Sequence, residues 1–552
     1  FVMGESQAFD HFVRSSLQSA YRLVSRGALK KRINSCFTNT YTELLNYLTA
    51  FQGRVSVTCD LWRSPFQENF LGVTCHWIDE KWNMQKRIIG FEVIESEKNG
   101  YLLKNALMTV FTNFGIQNKI LSLGVDNASS NTKCIDYMFE SRCLDFLVKD
   151  FFHVRCVCHV LNLCVQDGIE MLSYIVNPVR KAIRWIRSAD RNRRSFKEAC
   201  RNRSVPYKSF NLHIPVSWGS TYKLLRDTYI YREIISDLYN NAMGEDILTQ
   251  DLWDIAQAFC SLLAIFDKAT THFSYVYQPT INDVVVKIVE IVAELSSYTP
   301  SHPLLDCVLS MKSKLLKYFF DMPKLFLISA ILDPRYKTRV SNYLQYYYQK
   351  LDVPYDVSRI MNDSNNLLQF LYDKYSEDAQ PATPQTPTQP MPSVPVSQFL
   401  YDTLVRGPGV STTSGPEGRY AELNEYLHCS GYAQPDESFD ILLWWKENRK
   451  KYPILHRIAK DILACPPSTV AIESAFSAGR RILDDKRAAL TPNTIKVLIC
   501  LKDWQMAYNR SQDQPRPEDD EDEIDQFVQL SFSSGSEASG GSSADEALDD
   551  DE

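Results

Sequence analysis

Three β-rich runs follow one another early in this 552-residue chain: RVSVTCDLW, NFLGVTCHWI and MQKRIIGFEVI, separated by short polar connections. Runs of that composition and length predict three consecutive antiparallel strands. Downstream, YLLKNALMTVFTNFGI predicts a helix, KILSLGVDN a buried strand with a polar exit, FHVRC a short strand and CHVLNLCVQDGIEML a helix. Pattern alone supports a mixed α/β domain and no finer assignment. What surrounds it differs in kind. SSLQSAYRLV and TNTYTELLNYLTAF, ahead of the first strand, carry apolar residues at helical spacing. From about Asp227 to Lys350 the reading is almost wholly helical, with LWDIAQAFCSLLAIFDKAT and INDVVVKIVEIVAELSSY as its clearest stretches.

Composition removes several classes. No apolar run approaches the roughly 18 residues that span a bilayer, and FLISAIL is far too short. Fourteen cysteines without a ladder of spacings are not a disulfide scaffold, so a reducing compartment is expected. The formal net charge is −7, yet the segment from Glu518 onward holds 14 acidic residues and neither Lys nor Arg. Without that tail, 60 basic residues face 53 acidic ones, a net of +7. A mildly basic body suits a polyanionic partner, and the acidic tail suits a protein-binding one. Residues 376–418 are rich in Pro, Thr, Ser and Gly and predict a linker, while 507–552 predict a disordered acidic tail.

Two carboxylates stand out in the α/β part. Asp60 lies within the first β run (VTCDLW), and Asp126 at the exit of the fourth (GVDNASSN). Carboxylates on neighbouring strands repel unless cations bridge them, which makes hard divalent ions their natural occupants. The bland alternative for a single Asp at a strand end is a cap or turn residue.

Near the other end stand FDILLWWKENRKKYPILHRIAKDI (Phe439–Ile462) and DILACPPSTVAIESAFSAGRRILDDKRAAL (Asp461–Leu490), which carry Glu473, Arg480 and Arg487. Together they closely resemble the C-terminal region of hAT-family (hobo/Activator) DNA transposases, including domesticated plant relatives of the RICESLEEPER and DAYSLEEPER type with a BED finger. The resemblance extends over nearly all of residues 8–505. It implies an RNase H-like catalytic core interrupted by a large all-α insertion, followed by a helical hAT dimerisation region. The expected organisation is an N-terminal helical region (1–54), the first part of the core (55–225), the helical insertion (226–375), the linker (376–418), the dimerisation region with the last catalytic helix (419–506) and the tail (507–552).

The same resemblance implies site residues. Glu473 becomes the third metal-binding acid beside Asp60 and Asp126, with Mg²⁺ or Mn²⁺ as cofactor if the chain is active. RCVCHVLNL resembles the family's RCxxHxLNL motif and carries Arg155, Cys156 and His159, the histidine being expected beside the reaction centre. The competing reading of Cys156, Cys158, His159 and Cys164 as a zinc site has the wrong Cys-x-Cys spacing and no second ligand pair nearby, so no structural zinc is expected. Trp218 corresponds to the tryptophan of TRWNSTYxML and could stack on an extruded base. Ser217 and Gly219 depart from that motif, and a core tryptophan is the plain alternative.

Between Asn177 and Arg203 the chain places ten Lys/Arg and two acidic residues. Lys181, Arg184, Arg187, Arg191 and Arg194 would line one face of a continuous helix, either as a phosphate track or as a solvated face. In the C-terminal segment, Phe439, Leu442, Trp444, Trp445, Tyr452, Leu455, Ile458 and Ile462 hold aromatic surface that suits an obligate homodimer, with packing inside one chain as the alternative.

Two functions compete. One is a nuclear transposase that binds DNA, cuts it with divalent metal and transfers the strand. The other is a domesticated, non-catalytic DNA-binding regulator of transcription. The three retained acids favour the first; the altered surroundings of Trp218 and the acidic tail favour the second. A general nuclease would have no use for the insertion or the dimer segment. Family members usually carry an N-terminal BED-type zinc finger, and the residues following Phe1 contain no Cys/His pairing of that kind. The expectation is therefore a fragment, or a copy without its specific DNA reader.

Overall fold

A computed structural model describes residues 7–16, 22, 24–64, 68–94, 99–141, 144, 147–210, 218–377, 416–428, 439–473, 476 and 490–510. Ser217, Arg480, Arg487, nearly all of the expected linker and the acidic tail lie outside them.

The α/β part is a five-stranded sheet: β1 (Val55–Arg63), β2 (Asn69–Ile78), β3 (Met84–Ile94), β4 (Ile120–Val125) and β5 (His153–Arg155), in the order β3-β2-β1-β4-β5. β1–β3 form an antiparallel meander, while β4 and β5 continue it in parallel. β1, β2 and β4 are buried along almost their whole length, as strands covered on both faces must be. Their cover comes from the helices Arg26–Ala50, Gly100–Asn113 and Ser129–Glu140, and from chain more than 400 residues downstream.

That downstream element is the helix Pro492–Tyr508, which lies along β3 at the edge of the sheet. A bulge opposite Val73 and Thr74 interrupts the β2–β3 ladder. At this point Ile88 N–H donates to Asp503 (2.8 Å), and Trp504 Nε1 donates to Ile88 O (3.0 Å). The Lys86 ammonium reaches Asp503 at 2.5 Å, with both side chains buried. An edge strand carries unmet backbone groups, and here a distant helix supplies their partners.

The second body is helical. Its apolar cluster takes in the helices Val157–Met171, Gln250–Phe273, Val284–Leu295, Leu305–Phe319 and Lys324–Ile331, and it also absorbs residues from 423 to 465. The helix Val157–Met171 meets Leu305–Phe319 at Gly168, where a Cβ would stand 2.8 Å from Met311 Sδ. The chain therefore leaves the sheet at β5, fills a helical body and returns.

The basic stretch is not one helix. Ser173–Ser188 ends at Ala189, whose extended backbone (φ −142°, ψ 147°) opens a second helix, Asp190–Asn202. Asn192 Nδ2 donates to the Trp185 carbonyl at 2.8 Å and so satisfies an acceptor that the break exposes. The expected single face is corrected accordingly: Lys181, Arg184 and Arg187 stand exposed on the first helix, Arg191 and Arg194 on the second.

Candidate functional site

The carboxylates sit at one end of the sheet. Asp60 is directly opposite Gly72 in the β1–β2 register, and β1 pairs with β4 up to Thr58 and Gly124. Two residues further along each strand come Asp60 and Asp126. Asp60 is buried and accepts from Leu61 N–H at 2.8 Å. Asp126 follows the last residue of β4, and its Oδ1 accepts from Ala128 N (2.9 Å) and Asn131 Nδ2 (2.5 Å). One oxygen of Asp126 thus does the work of a turn residue, shaping the entry to Ser129–Glu140.

Glu473 arrives from the far end of the chain. Residues 470–473 are helical and press against the sheet beside Asp60. The reason is Gly72: a Cβ there would stand 2.6 Å from Ile472 Cγ1 and from the Phe476 ring. Opposite residues of an antiparallel pair share a face, so the missing side chain lets the Glu473 segment approach on the side to which Asp60 points. Phe476 is seated by stacking on Trp62, with centroids 5.9 Å apart.

Glu473 is 2% exposed and accepts from Thr469 Oγ1 at 2.8 Å. Burial pushes its carboxyl up to about 7; the Thr469 hydrogen bond opposes that, and the charge of Asp126 adds to it. His159, in the first turn of Val157–Met171, is held below the usual imidazole range by burial, with Asp126 pulling the other way. Asp126 is thus felt by both Glu473 and His159. Among the described residues, no group of three or more His, Cys, Asp or Glu side chains stands close enough to hold a metal ion.

Cys156 joins these pieces. Its backbone N–H donates to Val125 O (2.9 Å), its Sγ accepts from His159 N (3.4 Å) and Thr469 N (3.3 Å), and with the Thr469 proton committed to Glu473 its S–H faces Thr469 Oγ1 at 3.3 Å. Val157 N donates to Pro467 O at 2.9 Å. The sulfur therefore caps the His159 helix and fastens the approach to Glu473. Cys158 and Cys164 are buried separately in the helical body's apolar cluster. Sequence reasoning missed the Cys156–Thr469 link and Gly72, because each has meaning only through a segment hundreds of residues away.

Other expected residues fall elsewhere. Arg155 is exposed and reaches Asn127 Oδ1 at 3.5 Å, next to Asp126. Trp218 begins the helix Trp218–Tyr229 and is 8% exposed within the helical core, the packing that the sequence left as the alternative to base stacking. Arg187 donates to Phe210 O at 3.0 Å, which ties part of the basic surface to the fold.

The C-terminal aromatic segment is packed as well. Leu442, Trp445, Tyr452, Leu455, Ile458 and Ile462 are buried inside the single chain, while Phe439 and Trp444 are half-buried against the same cluster. Trp445 Nε1 donates to Leu332 O at 3.1 Å, and Trp445 packs on Tyr426 at 5.3 Å between centroids. These side chains fasten the C-terminal region to the helical body, which is the packing within one chain that the sequence left as the alternative.

The α/β sheet, the helical body and the returning C-terminal helices agree with three family matches. Residues 58–145 match the ZBED1 RNase-like domain, 154–262 the ZBED1 RNase-like helical domain, and 422–505 the hAT family C-terminal dimerisation region. Together these matches place the chain with the hAT family through its dimerisation region and RNase-like domains. It is similar to maize (Zea mays) "Putative AC transposase", with 30% identity over 91% of this chain and 63% of that protein. It is also similar to rice (Oryza sativa subsp. japonica) "Zinc finger BED domain-containing protein RICESLEEPER 3", with 25% identity over 91% of this chain and 67% of the relative. A fungal relative from Talaromyces stipitatus, "Putative transcriptional regulator tpeD", is 24% identical over 81% of this chain and 53% of its own length. The chain thus spans about two thirds or less of the curated relatives it matches here. No helix among the described residues is long and apolar enough to cross a membrane.

Proposed function

We propose that this hAT chain acts as a DNA transposase core, cutting and transferring strands at element ends with a divalent metal. What supports the reading is that the charge of Asp126 helps to raise the carboxyl of Glu473, 347 positions away, while Gly72, opposite Asp60, admits the Glu473 segment to the sheet. The donor set suits Mg²⁺ or Mn²⁺: hard carboxylate oxygens, one of them on a buried Glu whose ionised form is disfavoured both by burial and by Asp126. A cation between them offsets both penalties.

Asp60, Asp126 and Glu473 do not form a ready-made ligand cluster in this conformation, so they would have to draw together to hold the ion, which when bound would supply Lewis-acid activation of a phosphodiester. Thr469 orients Glu473 through its hydroxyl, and Cys156 fixes Thr469 and His159 relative to each other. Burial keeps the His159 imidazole neutral at physiological pH, able to accept or donate one hydrogen bond near the scissile phosphate. Arg155, Lys181, Arg184, Arg191 and Arg194 offer exposed cations for the DNA backbone. The protein works on DNA in the nucleus as a homodimer, through the 422–505 region.

A cleavage assay on the terminal repeats of the surrounding element, with Mg²⁺ or Mn²⁺, tests this reading. Cleavage by the parent and none by Glu473→Gln supports it; equal cleavage by both removes Glu473 from the reaction. The second reading, a non-catalytic DNA-binding regulator, draws on the packed Trp218 and on the name of the fungal relative. Metal-independent DNA binding without cleavage, unchanged in Glu473→Gln, would favour it.

A further inference from the structure

The opposite end of the sheet holds a different kind of site. β1 and β4 run parallel, and both start at a cavity of about 370 Å³. Gln52, Gly53 and Arg54 line it just ahead of β1, Asn118 and Lys119 just ahead of β4, and Glu80 and Trp82 in the β2–β3 turn. Its other wall is Tyr375 together with Arg449, His456, Arg457, Lys460 and Asp461 of the C-terminal region. Five residues at the strand rise of about 3.3 Å put Asp60 roughly 17 Å from this cavity, so it is separate from the carboxylate end.

Five Arg and Lys face two acids here. Asp461 is buried and already accepts from Tyr375 Oη at 2.7 Å, and the Glu80 side chain is 83% exposed, touching Lys460 at 3.6 Å. Three of the cations have partial duties. Lys119 Nζ donates to the carbonyls of Leu48, Thr49 and Phe51 at 2.6–2.9 Å, Arg457 donates to Tyr375 O at 2.9 Å, and Lys460 lies over Trp82. Arg54 differs: its Nη1 is shielded from solvent and meets no hydrogen-bond acceptor among the described residues. A shielded guanidinium N–H without an acceptor is costly, and an anion's oxygen in the cavity would satisfy it. Arg449 stands exposed at the rim on the same cavity.

We propose that this cavity binds a small molecule carrying two phosphate groups, one held by Arg54 and the other by Arg449 with Arg457. Guanidinium forks match phosphate oxygens in pairs, and the volume falls in the range of small-ligand pockets. Occupancy ties the base of the sheet to the helix Leu455–Leu463, and so couples ligand level to the seating of the dimerisation region. This inference does not depend on the reading of the carboxylate end.

The probe is inorganic pyrophosphate, titrated into the full chain at ionic strength matched with chloride and followed by calorimetry and thermal melting. The expected result is saturable binding with a Tm rise of several degrees. Arg54→Gln and the rim variant Arg449→Gln should each weaken it by about tenfold or more. Arg449→Gln, on the surface, keeps the test valid should Arg54→Gln fold poorly, and its affinity for a short random-sequence DNA duplex should match the parent's. No Tm rise beyond the chloride control overturns the proposal, as does equal pyrophosphate binding by Arg449→Gln and the parent. Parallel loss of duplex and pyrophosphate binding also overturns it, assigning these arginines to a nucleic-acid backbone instead.

Discussion

The end of the sheet around Glu473 and the aromatic knot around Trp445 are equally dry, but they bury opposite things. The first hides ionisable groups: Glu473 pushed up to about 7 and His159 pulled down, both chiefly by burial. The second hides rings, with Tyr426, Trp445 and Tyr452 within about 6 Å of one another and Trp445 bonded to Leu332 O. Burying rings stabilises a fold, whereas burying a carboxylate costs stability unless something compensates. The knot therefore reads as architecture, and the sheet end as a place where burial works against stability, in keeping with the proposed reaction site.

The sharpest way to break this contrast is Trp445→Ala. The variant should lose about 4–6 kcal/mol in denaturant unfolding, from the cavity and the stranded Leu332 carbonyl. If Trp445→Ala instead left unfolding unchanged and only split an oligomer, the knot would be an interface. Next comes Lys86→Met, which leaves Asp503 buried without its cation and should cost about 3–5 kcal/mol. Most of that loss should return in the Lys86→Met/Asp503→Leu double variant, and failure to recover would point to the Ile88–Asp503 bond as the stronger tie.

A smaller effect of opposite sign is expected at the sheet end. Glu473's folded value lies above its ordinary 4.5, so its contribution is fully present below about pH 4.5 and lost as pH rises through about 7. Glu473→Gln should accordingly be more stable than the parent at pH 8, by on the order of 1–3 kcal/mol, with the advantage shrinking toward pH 5. Mn²⁺ should narrow the gap at pH 8 by stabilising the parent alone. A variant less stable than the parent at every pH would show that the carboxylate is structural. Smallest of all, Cys156→Ala should cost about 1–2 kcal/mol through the loss of three weak sulfur hydrogen bonds, two accepted and one shared with Thr469 Oγ1. Its cleavage rate should fall further than that loss of stability explains, because Thr469 and His159 lose their common anchor.

Much of the sheet was legible because strand chemistry is local. NFLGVTCHWI and MQKRIIGFEVI coincide with β2 and β3, and the carboxylates of Asp60 and Asp126 could be paired from their places on strands. Glu473 could be added only through family resemblance, since nothing near residue 473 encodes the glycine at 72 that admits it. The helical body was less legible. A stripe of cations at threes and fours looks the same whether or not the helix breaks, and the break rests on one extended residue, Ala189, and the side chain of Asn192. Nor does aromatic richness reveal its partner: the rings around Trp445 satisfy each other and Leu332 before any second copy is involved.

The helix that completes the edge strand is made long after the strand itself. Lys86 and Asp503 are 417 positions apart, so at ordinary ribosomal rates of about 5–20 residues per second the edge of β3 waits roughly 20–80 s for its cover. A nascent chain in that interval offers unmet backbone groups to any neighbouring strand on the same polysome. Truncated translation products ending before Pro492 would keep that edge open for good, which makes them candidates for chaperone capture or clearance.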